Sequence, residues 1–410
     1  MRNAKNDKKF DKAAALYNEK RYTEAAPLLE ALAEQGHSGA QNKIGDCYFF
    51  GQGVEQDNAK ALEWFRKAAD QKYAEAQYDL GYLYYHGKIV EQDYAKAVEW
   101  FCKAAEQNDA DAQNYLGLCC YRGEGAEQDY AQAVEWFLKA AEQGHIRAQY
   151  NLAWCYEEGR GVAQDYAAAA QWYGKAAEQG HISAQYNLAW YYEEGRGVAQ
   201  DYAAAAQWYG KAAEQGRADA QFNLAWCYEE GKGVTQDYAA AAQWYAKAAD
   251  QGDADAQYML ACFYMKGKGI PQDFAKAAQW YAKAADQGDD GAQFILGHCY
   301  EHGKGVPQDF AKAVEWYSKA AEQGHAKAVE LMDRMNSLIA RMKDKVQQEG
   351  GSRWRVDEAV FHSRRMAEAY AKRLCMEEEM KEVYQKGGKI RADLVYRRPL
   401  SDSKKEKKKP

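Results

Sequence analysis

The apolar positions of this chain follow two nested periods. Within residues 148–183, Ala148, Leu152 and Tyr156 fall at i, i+4 and i+8, the spacing of one helical face. Gly159 closes that stretch, because glycine supplies the left-handed backbone a helix C-terminus commonly needs. Asp165 then offers a carboxylate to the free N–H groups of a second helix. That helix runs from Tyr166 to about Gln179, with Trp172, Ala176 and Ala177 on its inner stripe. Gly180 ends it. The outer period is 36 residues. Ala40-Gln41, Ala76-Gln77, Ala112-Gln113, Ala148-Gln149, Ala184-Gln185, Ala220-Gln221, Ala256-Gln257 and Ala292-Gln293 keep it without an insertion. Trp64, Trp100, Trp136, Trp172, Trp208, Trp244, Trp280 and Trp316 keep it too. One unit is therefore a helix, a Gly-x-Gly-Val loop, a second helix and a short turn. A unit this small cannot bury a core alone, so the units must stack into a solenoid.

The column Gly45, Gly81, Gly117, Ala153, Ala189, Ala225, Ala261 and Gly297 stays small, as close helix–helix contact requires. In the second unit Ile89 stands where the loop's second glycine is expected, which predicts a local distortion without loss of the repeat. The string AQYNLAWCYEEGRGVAQDYAAAAQWYGKAAEQGH resembles the Sel-one-like repeat (SLR), a relative of the tetratricopeptide repeat. The resemblance covers residues 37–328, eight repeats. It implies an all-α, right-handed α-solenoid whose first helices line the concave side, and a role as an adaptor or scaffold between proteins.

The flanks predict caps. Residues 1–36 read as a capping helix pair. Phe10, Ala14 and Tyr17 lie on one helix, Thr23 is a candidate cap of the next, and Pro27 is early enough for its missing N–H to be tolerated. Leu331, Met335, Leu338, Met342 and Val346 form the stripe of a capping helix over 329–348. Residues 350–388 read as a helical extension, with Val356, Val360, Ala367, Tyr370 and Leu374 on one side of a helix at 354–386. Residues 389–410 read as a basic, disordered tail.

Charge separates body from tail. The chain carries a net −7, yet residues 329–410 hold 21 Lys+Arg against 14 Asp+Glu, leaving 33 against 47 in residues 1–328. The body is a poor match for nucleic acid or anionic membrane; the tail, with Arg364-Arg365, Arg397-Arg398 and Trp354, is a better one. The polar start, Met1 to Phe10, and the lack of any long apolar run predict a soluble, cytoplasmic chain with no membrane partner. Cys47, Cys119, Cys155, Cys227 and Cys299 share one column without a facing cysteine column, which predicts buried, reduced thiols.

The repeats differ from their own average in the middle three. On a helical wheel Trp154 points away from Ala148, Leu152 and Tyr156, and Asn151 and Glu158 flank it at i−3 and i+4. The triplet recurs as Asn187, Trp190, Glu194 and as Asn223, Trp226, Glu230, with Tyr150, Tyr186 and Phe222 widening the strip. Packed helices lie ~8–10 Å apart, so such a ladder would meet roughly every third residue of an extended segment rising ~3.3 Å per residue. The pairs Glu157-Glu158, Glu193-Glu194 and Glu229-Glu230 sit at helix C-termini, where the macrodipole disfavours negative charge by ~0.3–1 kcal/mol each. A protein or peptide partner with basic or aromatic residues would suit this face, with cation–π attraction to the tryptophans. The competing structural reading buries the tryptophans and lets Arg160, Arg196 and Lys232 neutralise the glutamates. The same repeats carry alanine runs at Ala167 to Ala170, Ala203 to Ala206 and Ala239 to Ala242, with Gly174 and Gly210 inside helices.

Other chemistry is weak. The histidine column His37, His145, His181 and His325 is spaced one repeat apart, too far to share a metal. No cofactor motif is present, since the Gly-x-Gly loops lack the third glycine and the strand a dinucleotide site needs. Some Sel-one-like relatives bear a β-lactamase label, but the one Ser-x-x-Lys is Ser401-Asp402-Ser403-Lys404, in the tail. The expectation is a non-enzymatic interaction scaffold. A tail that binds nucleic acid or an acidic partner, with the solenoid as spacer, is the alternative, and a β-lactamase-like hydrolase the remote one.

Overall fold

The computed structural model describes residues 2–333 and two short segments, 354–356 and 359–361. The chain falls into two compact units that meet near Gln200. The first unit contains α1 (Arg2–Asn18), α2 (Tyr22–Glu34), α3 (Ser38–Phe50), α4 (Asn58–Asp70), α5 (Ala74–His86), α6 (Tyr94–Ala105), α7 (Ala110–Arg122), α8 (Tyr130–Glu142), α9 (Ile146–Glu158), α10 (Tyr166–Glu178) and α11 (Ile182–Glu194). The second contains α12 (Tyr202–Glu214), α13 (Ala218–Glu230), α14 (Tyr238–Asp250), α15 (Ala254–Lys266), α16 (Phe274–Asp286), α17 (Asp290–His302) and α18 (Phe310–Glu322). A further helix begins at 326 and is described as far as 333.

The sequence signals that position these helices act as expected. Asp165 accepts hydrogen bonds from the N–H groups of Ala167 (2.9 Å) and Ala168 (3.0 Å) at the start of α10. Gly159 ends α9 in the left-handed conformation at φ 66°. The second loop glycine does more than turn the chain. A Cβ on Gly161 would lie 2.1 Å from the carbonyl oxygen of Tyr130 in the preceding repeat, so this position brings successive repeats into backbone contact. Ile89 holds the same left-handed backbone, φ 57°, which is strained for a β-branched residue. This is the distortion expected in the second repeat, and α5 and α6 on either side of it form normally.

The Ala-Gln column explains itself as packing plus stitching. Ala148 is fully buried, and Gln149 is only 4% exposed. The Gln149 side-chain amide donates to the carbonyl of Ala141 in the preceding repeat (3.2 Å), and its own oxygen accepts from Gln179 (2.8 Å) at the end of α10. Gln257 does the same in the second unit, donating to Ala249 (3.1 Å) and accepting from Gln287 (2.9 Å). Each such bond contributes a net ~0.5–1.5 kcal/mol, and an unmade one at a buried amide costs more. The core of each layer is alanine-rich with one large ring from each second helix, such as Tyr173 or Tyr245, fully buried.

Two terminal expectations need correction. Arg21, not Thr23, is the residue before α2; its guanidinium grips Glu24 through two bonds of 2.8 and 2.7 Å while Thr23 lies inside the helix. Pro27 is the sixth residue of α2, beyond the first turn, so the Thr23 carbonyl has no backbone N–H of Pro27 to accept. The helical extension over 350–388 is contradicted at its start. β1 (Trp354–Val356) and β2 (Ala359–Phe361) pair antiparallel, with Trp354 opposite Phe361 and Val356 opposite Ala359. Trp, Val and Phe favour extended backbone, and across so short a stretch a helical stripe and a strand pattern share the same apolar residues. The rest of that extension, the capping helix beyond 333 and the tail lie outside the described residues.

Candidate partner-binding face

The first helices α9, α11 and α13 carry the nine residues singled out in the sequence. Trp154, Trp190 and Trp226 are half-buried, and Glu158, Glu194 and Glu230 are exposed. Asn187 and Asn223 are half-buried. Asn151 is not available to a partner. It is 5% exposed, and its amide donates to the side-chain oxygen of Asn114 in the preceding repeat (3.0 Å). It ties α7 to α9 because Asn114, one position off its own column in the preceding repeat, is itself buried and offers the acceptor.

Each tryptophan already holds a cation from its own repeat. Arg160 lies over Trp154 at 5.3 Å, Arg196 over Trp190 at 5.1 Å and Lys232 over Trp226 at 4.2 Å. The same cations reach back to the first residue of the preceding second helix. Arg196 covers Tyr166 at 4.1 Å and donates to its hydroxyl (2.9 Å), and Lys232 covers Tyr202 at 5.0 Å. Arg160 donates to the Tyr121 hydroxyl (2.6 Å), and Tyr121 packs on Trp154 with centroids 5.0 Å apart. The cation–π partner expected from a ligand is thus supplied within the chain, six residues downstream of each ring. The loop cations sit on the rings rather than simply neutralising the glutamates.

The paired glutamates divide into two kinds. Glu157 accepts from the hydroxyl of buried Tyr173 (2.6 Å), Glu229 from Tyr245 (2.8 Å) and Glu301 from Tyr317 (2.6 Å). Glu229 is 6% exposed and also pairs with Lys268 at 2.9 Å. The expectation that stability would not select these pairs is therefore wrong for the first member: it satisfies a phenol that burial would otherwise strand. Burial, then the Glu157 charge, raises the Tyr173 hydroxyl well above the ordinary tyrosine range, so it remains a donor. The second members face outward.

The widening aromatics also serve the stack. Tyr150 lies 5.5 Å from Tyr173 and stacks at 4.6 Å on His181, the residue before α11, and Phe222 lies 5.4 Å from Tyr245. The histidine column has a role that the metal argument passed over. The Nδ1 atoms of His145 and His181 accept from the N–H groups of Ala148 (3.0 Å) and Ala184 (3.2 Å), capping first helices as Asp253 does for Ala256 (2.7 Å). Alternation with aspartate in one column was the signal for a cap. The five column cysteines are buried free thiols, and burial pushes Cys155 up to about 12. No helix among the described residues is long and apolar enough to cross a membrane. Ser401 and Lys404 lie outside the described residues.

The repeat geometry matches a known family over most of the chain. The Sel1 repeat model matches residues 38–73, 74–109, 110–145, 146–181, 182–216, 218–253, 254–289 and 291–325. The chain is a Sel1-repeat protein. Among solved structures this Sel1-repeat chain is similar to c5321, a protective antigen of uropathogenic Escherichia coli strains displaying an SLR fold. Identity is 40% and the TM-score 0.72, over 76% of this chain and 66% of that one. It is also similar to a Sel1 repeat protein from Oxalobacter formigenes, with 36% identity and a TM-score of 0.56, over 74% of this chain and 89% of that one. A curated relative, the ERAD-associated E3 ubiquitin-protein ligase component HRD3B of Arabidopsis thaliana, is 55% identical over 42 residues, 10% of this chain. The chain spans only 66% of c5321 and 7% of HRD3B.

Proposed function

We propose that this Sel1-repeat protein is a protein–protein interaction scaffold, and that the first-helix faces of its middle repeats, with Trp154 and Trp190 in the first unit and Trp226 in the second, receive extended, basic partner segments. Sel1-repeat proteins mediate protein–protein interaction, and this chain has eight such repeats. The observation that carries the finer reading is the repeated surface set: a half-buried tryptophan, a loop cation over it and an exposed glutamate one turn on. Glu158 and Glu194 in the first unit and Glu230 in the second supply carboxylates for lysine or arginine. The uncovered edges of Trp154, Trp190 and Trp226 supply apolar contact, and Asn187 and Asn223 offer amides to a peptide backbone. Asn151 acts behind this face as a strut.

The test is capture of partners by the full chain, by the Trp154→Ala/Trp190→Ala/Trp226→Ala variant, and by a chain lacking 350–410. Partners retained by the truncated chain and lost by the triple variant are expected. Unchanged recovery by the triple variant would sink the assignment. Loss on truncation alone, with salt-dependent nucleic-acid binding, would move the activity to the tail.

A further inference from the structure

The same face changes character in the first two repeats. Asp46 and Tyr82 stand in the Trp154 column, three and two repeats earlier, while Lys43 and Asp79 stand in the Asn151 column. Asn42 takes the place of Tyr150, and Gln52 that of the loop cation Arg160. With a carboxylate and an amide where two rings would lie, a cavity of about 320 Å³ opens between α3 and α5. That is an order of magnitude above the ~30 Å³ share of one water. Phe49, Phe50, Tyr78 and Tyr82 wall it, and Asp46 and Asp79 present their carboxylates to it. Phe50 is 60% exposed at its edge, the most exposed large apolar side chain among the described residues.

The charges around it do not balance. Lys43 is drawn to Glu75 (2.7 Å) and stands 3.7 Å from Asp46, with Tyr17 of α1 under it at 5.6 Å. Lys88 stays on the rim, over the Tyr82 ring at 5.0 Å and 3.3 Å from its hydroxyl. Glu75 and Asp46 both push Asp79 upward beyond what burial does, and Lys43 and Asn42 oppose the rise. Burial pushes Asp46 up to about 6, with Lys43 lowering it and Glu75 raising it. Asn42 is fully buried beside Asp79, close enough for its amide to hold that carboxyl's rise back, yet neither its nitrogen nor its oxygen makes a well-formed hydrogen bond. Two largely buried acids lining an aromatic-walled cavity are costly for the empty protein. They are complementary to a cation on an apolar stem.

We propose that this cavity is a socket for one lysine or arginine side chain of a protein partner, its stem between Phe49, Phe50 and the Tyr78–Tyr82 pair and its charge between Asp46 and Asp79. The assignment deepens the reading of this face as partner-binding and rests on it for the claim that the cation belongs to a polypeptide. Binding ionises both acids, so affinity weakens on acidification as each takes up its proton.

The probe is an acetylated, amidated pentapeptide with arginine between glycine pairs, set against the same peptide with the neutral isostere citrulline. Amide shifts in isotope-labelled full chain are followed through a titration. The expected result is shifts confined to residues 42–52 and 78–88, at least tenfold weaker binding of the citrulline peptide, and loss of binding in Asp46→Asn and Asp79→Asn. Both variants are isosteric, and unchanged shifts elsewhere show that they fold. Trp154→Ala/Trp190→Ala should still bind the peptide. Equal binding of citrulline, unaltered binding by both acid variants, no shifts at all, or tighter uptake of magnesium or calcium than of the peptide would overturn the socket. Peptide binding kept while partner capture fails, or the reverse, separates the socket from the tryptophan face.

Discussion

Adjacent glutamates with opposite surroundings give the sharpest test of what is structural here. Glu229 accepts the Tyr245 hydroxyl at 2.8 Å, pairs with Lys268 at 2.9 Å and is 6% exposed; Glu230 is exposed. Replacing Glu229 by alanine removes two hydrogen bonds to a charged group, each worth about 1.5–3 kcal/mol. It also takes the carboxylate acceptor away from a fully buried phenol, while Lys268 keeps its place over the Tyr238 ring at 4.1 Å. Against this, the carboxylate no longer has to be desolvated, which offsets part of the loss. The net expectation is a destabilisation of about 2–4 kcal/mol. Glu230→Ala should change stability by less than ~0.5 kcal/mol, as ordinary surface substitutions do. Stacked repeats unfold with limited cooperativity. The assay is therefore urea unfolding of the full chain by tryptophan fluorescence, paired with hydrogen exchange of peptides from α13 and α14. Glu229→Ala should lower the midpoint and deprotect those two helices. Tyr245→Phe should recover much of the loss when added to it, since the hydroxyl that lost this acceptor is then gone. Equal effects of Glu229→Ala and Glu230→Ala would refute the division of the pair.

Gly161→Ala should cost about 2–4 kcal/mol, because it combines a left-handed backbone with a Cβ placed 2.1 Å from the Tyr130 carbonyl oxygen; Gly174→Ala, with no neighbour within 4 Å, should instead gain about 1 kcal/mol, and thermal melts of the two variants check both signs. Gln149→Leu should lose about 0.5–1.5 kcal/mol, because the Ala141 carbonyl keeps the Gly144 N–H (3.0 Å) but loses the side-chain amide and one Gln179 donor loses its acceptor, read as lost exchange protection in α8–α10. Asp46 is held near 6 instead of 3.8, so the folded state keeps its proton longer than the unfolded state does. Stability therefore falls as pH rises from about 4 to 6, by about 2–3 kcal/mol at 1.36 kcal/mol per pH unit, and stays reduced above that window. Asp46→Asn should match wild type at pH 3.5 and melt higher at pH 7.5; a constant difference across that range would count against the raised carboxyl.

Most of the fold was legible because the determinants are local and repeated. Glycine ends, aspartate caps and small residues at close crossings each act within one or two repeats, and recurrence averages out the noise of any single copy. The candidate face was read less well. Trp154 and its copies are half-buried, Trp154 against a core cluster, which a helical wheel misses because it shows one helix and not the loop that folds back on it. Arg160 stands six residues from Trp154, so its position over the ring depends on the loop path set by Gly159 and Gly161. The role of Glu157 was hidden for the same reason, yet a signal existed. Glu157, Glu229 and Glu301 each precede a buried tyrosine by 16 residues, whereas Phe65, Phe101 and Phe137 in that ring column have an aromatic residue there: Phe49, Tyr85 and Tyr121. Comparing two columns rather than one would have found the pairing. At the chain ends, where no second copy exists for comparison, Thr23 and the 354–361 segment were misread.

The glutamine stitch has a consequence for how such a chain can change length. Gln149 takes from the repeat before it and is held by the last residue of its own second helix. Each repeat thus presents a carbonyl that takes a second donor forward, and a glutamine donor backward. A whole repeat can be spliced out or copied in and the severed bonds re-form between new neighbours. One residue added or lost throws the next glutamine out of reach of its carbonyl. Within each unit, length is therefore free to vary only in steps of 36.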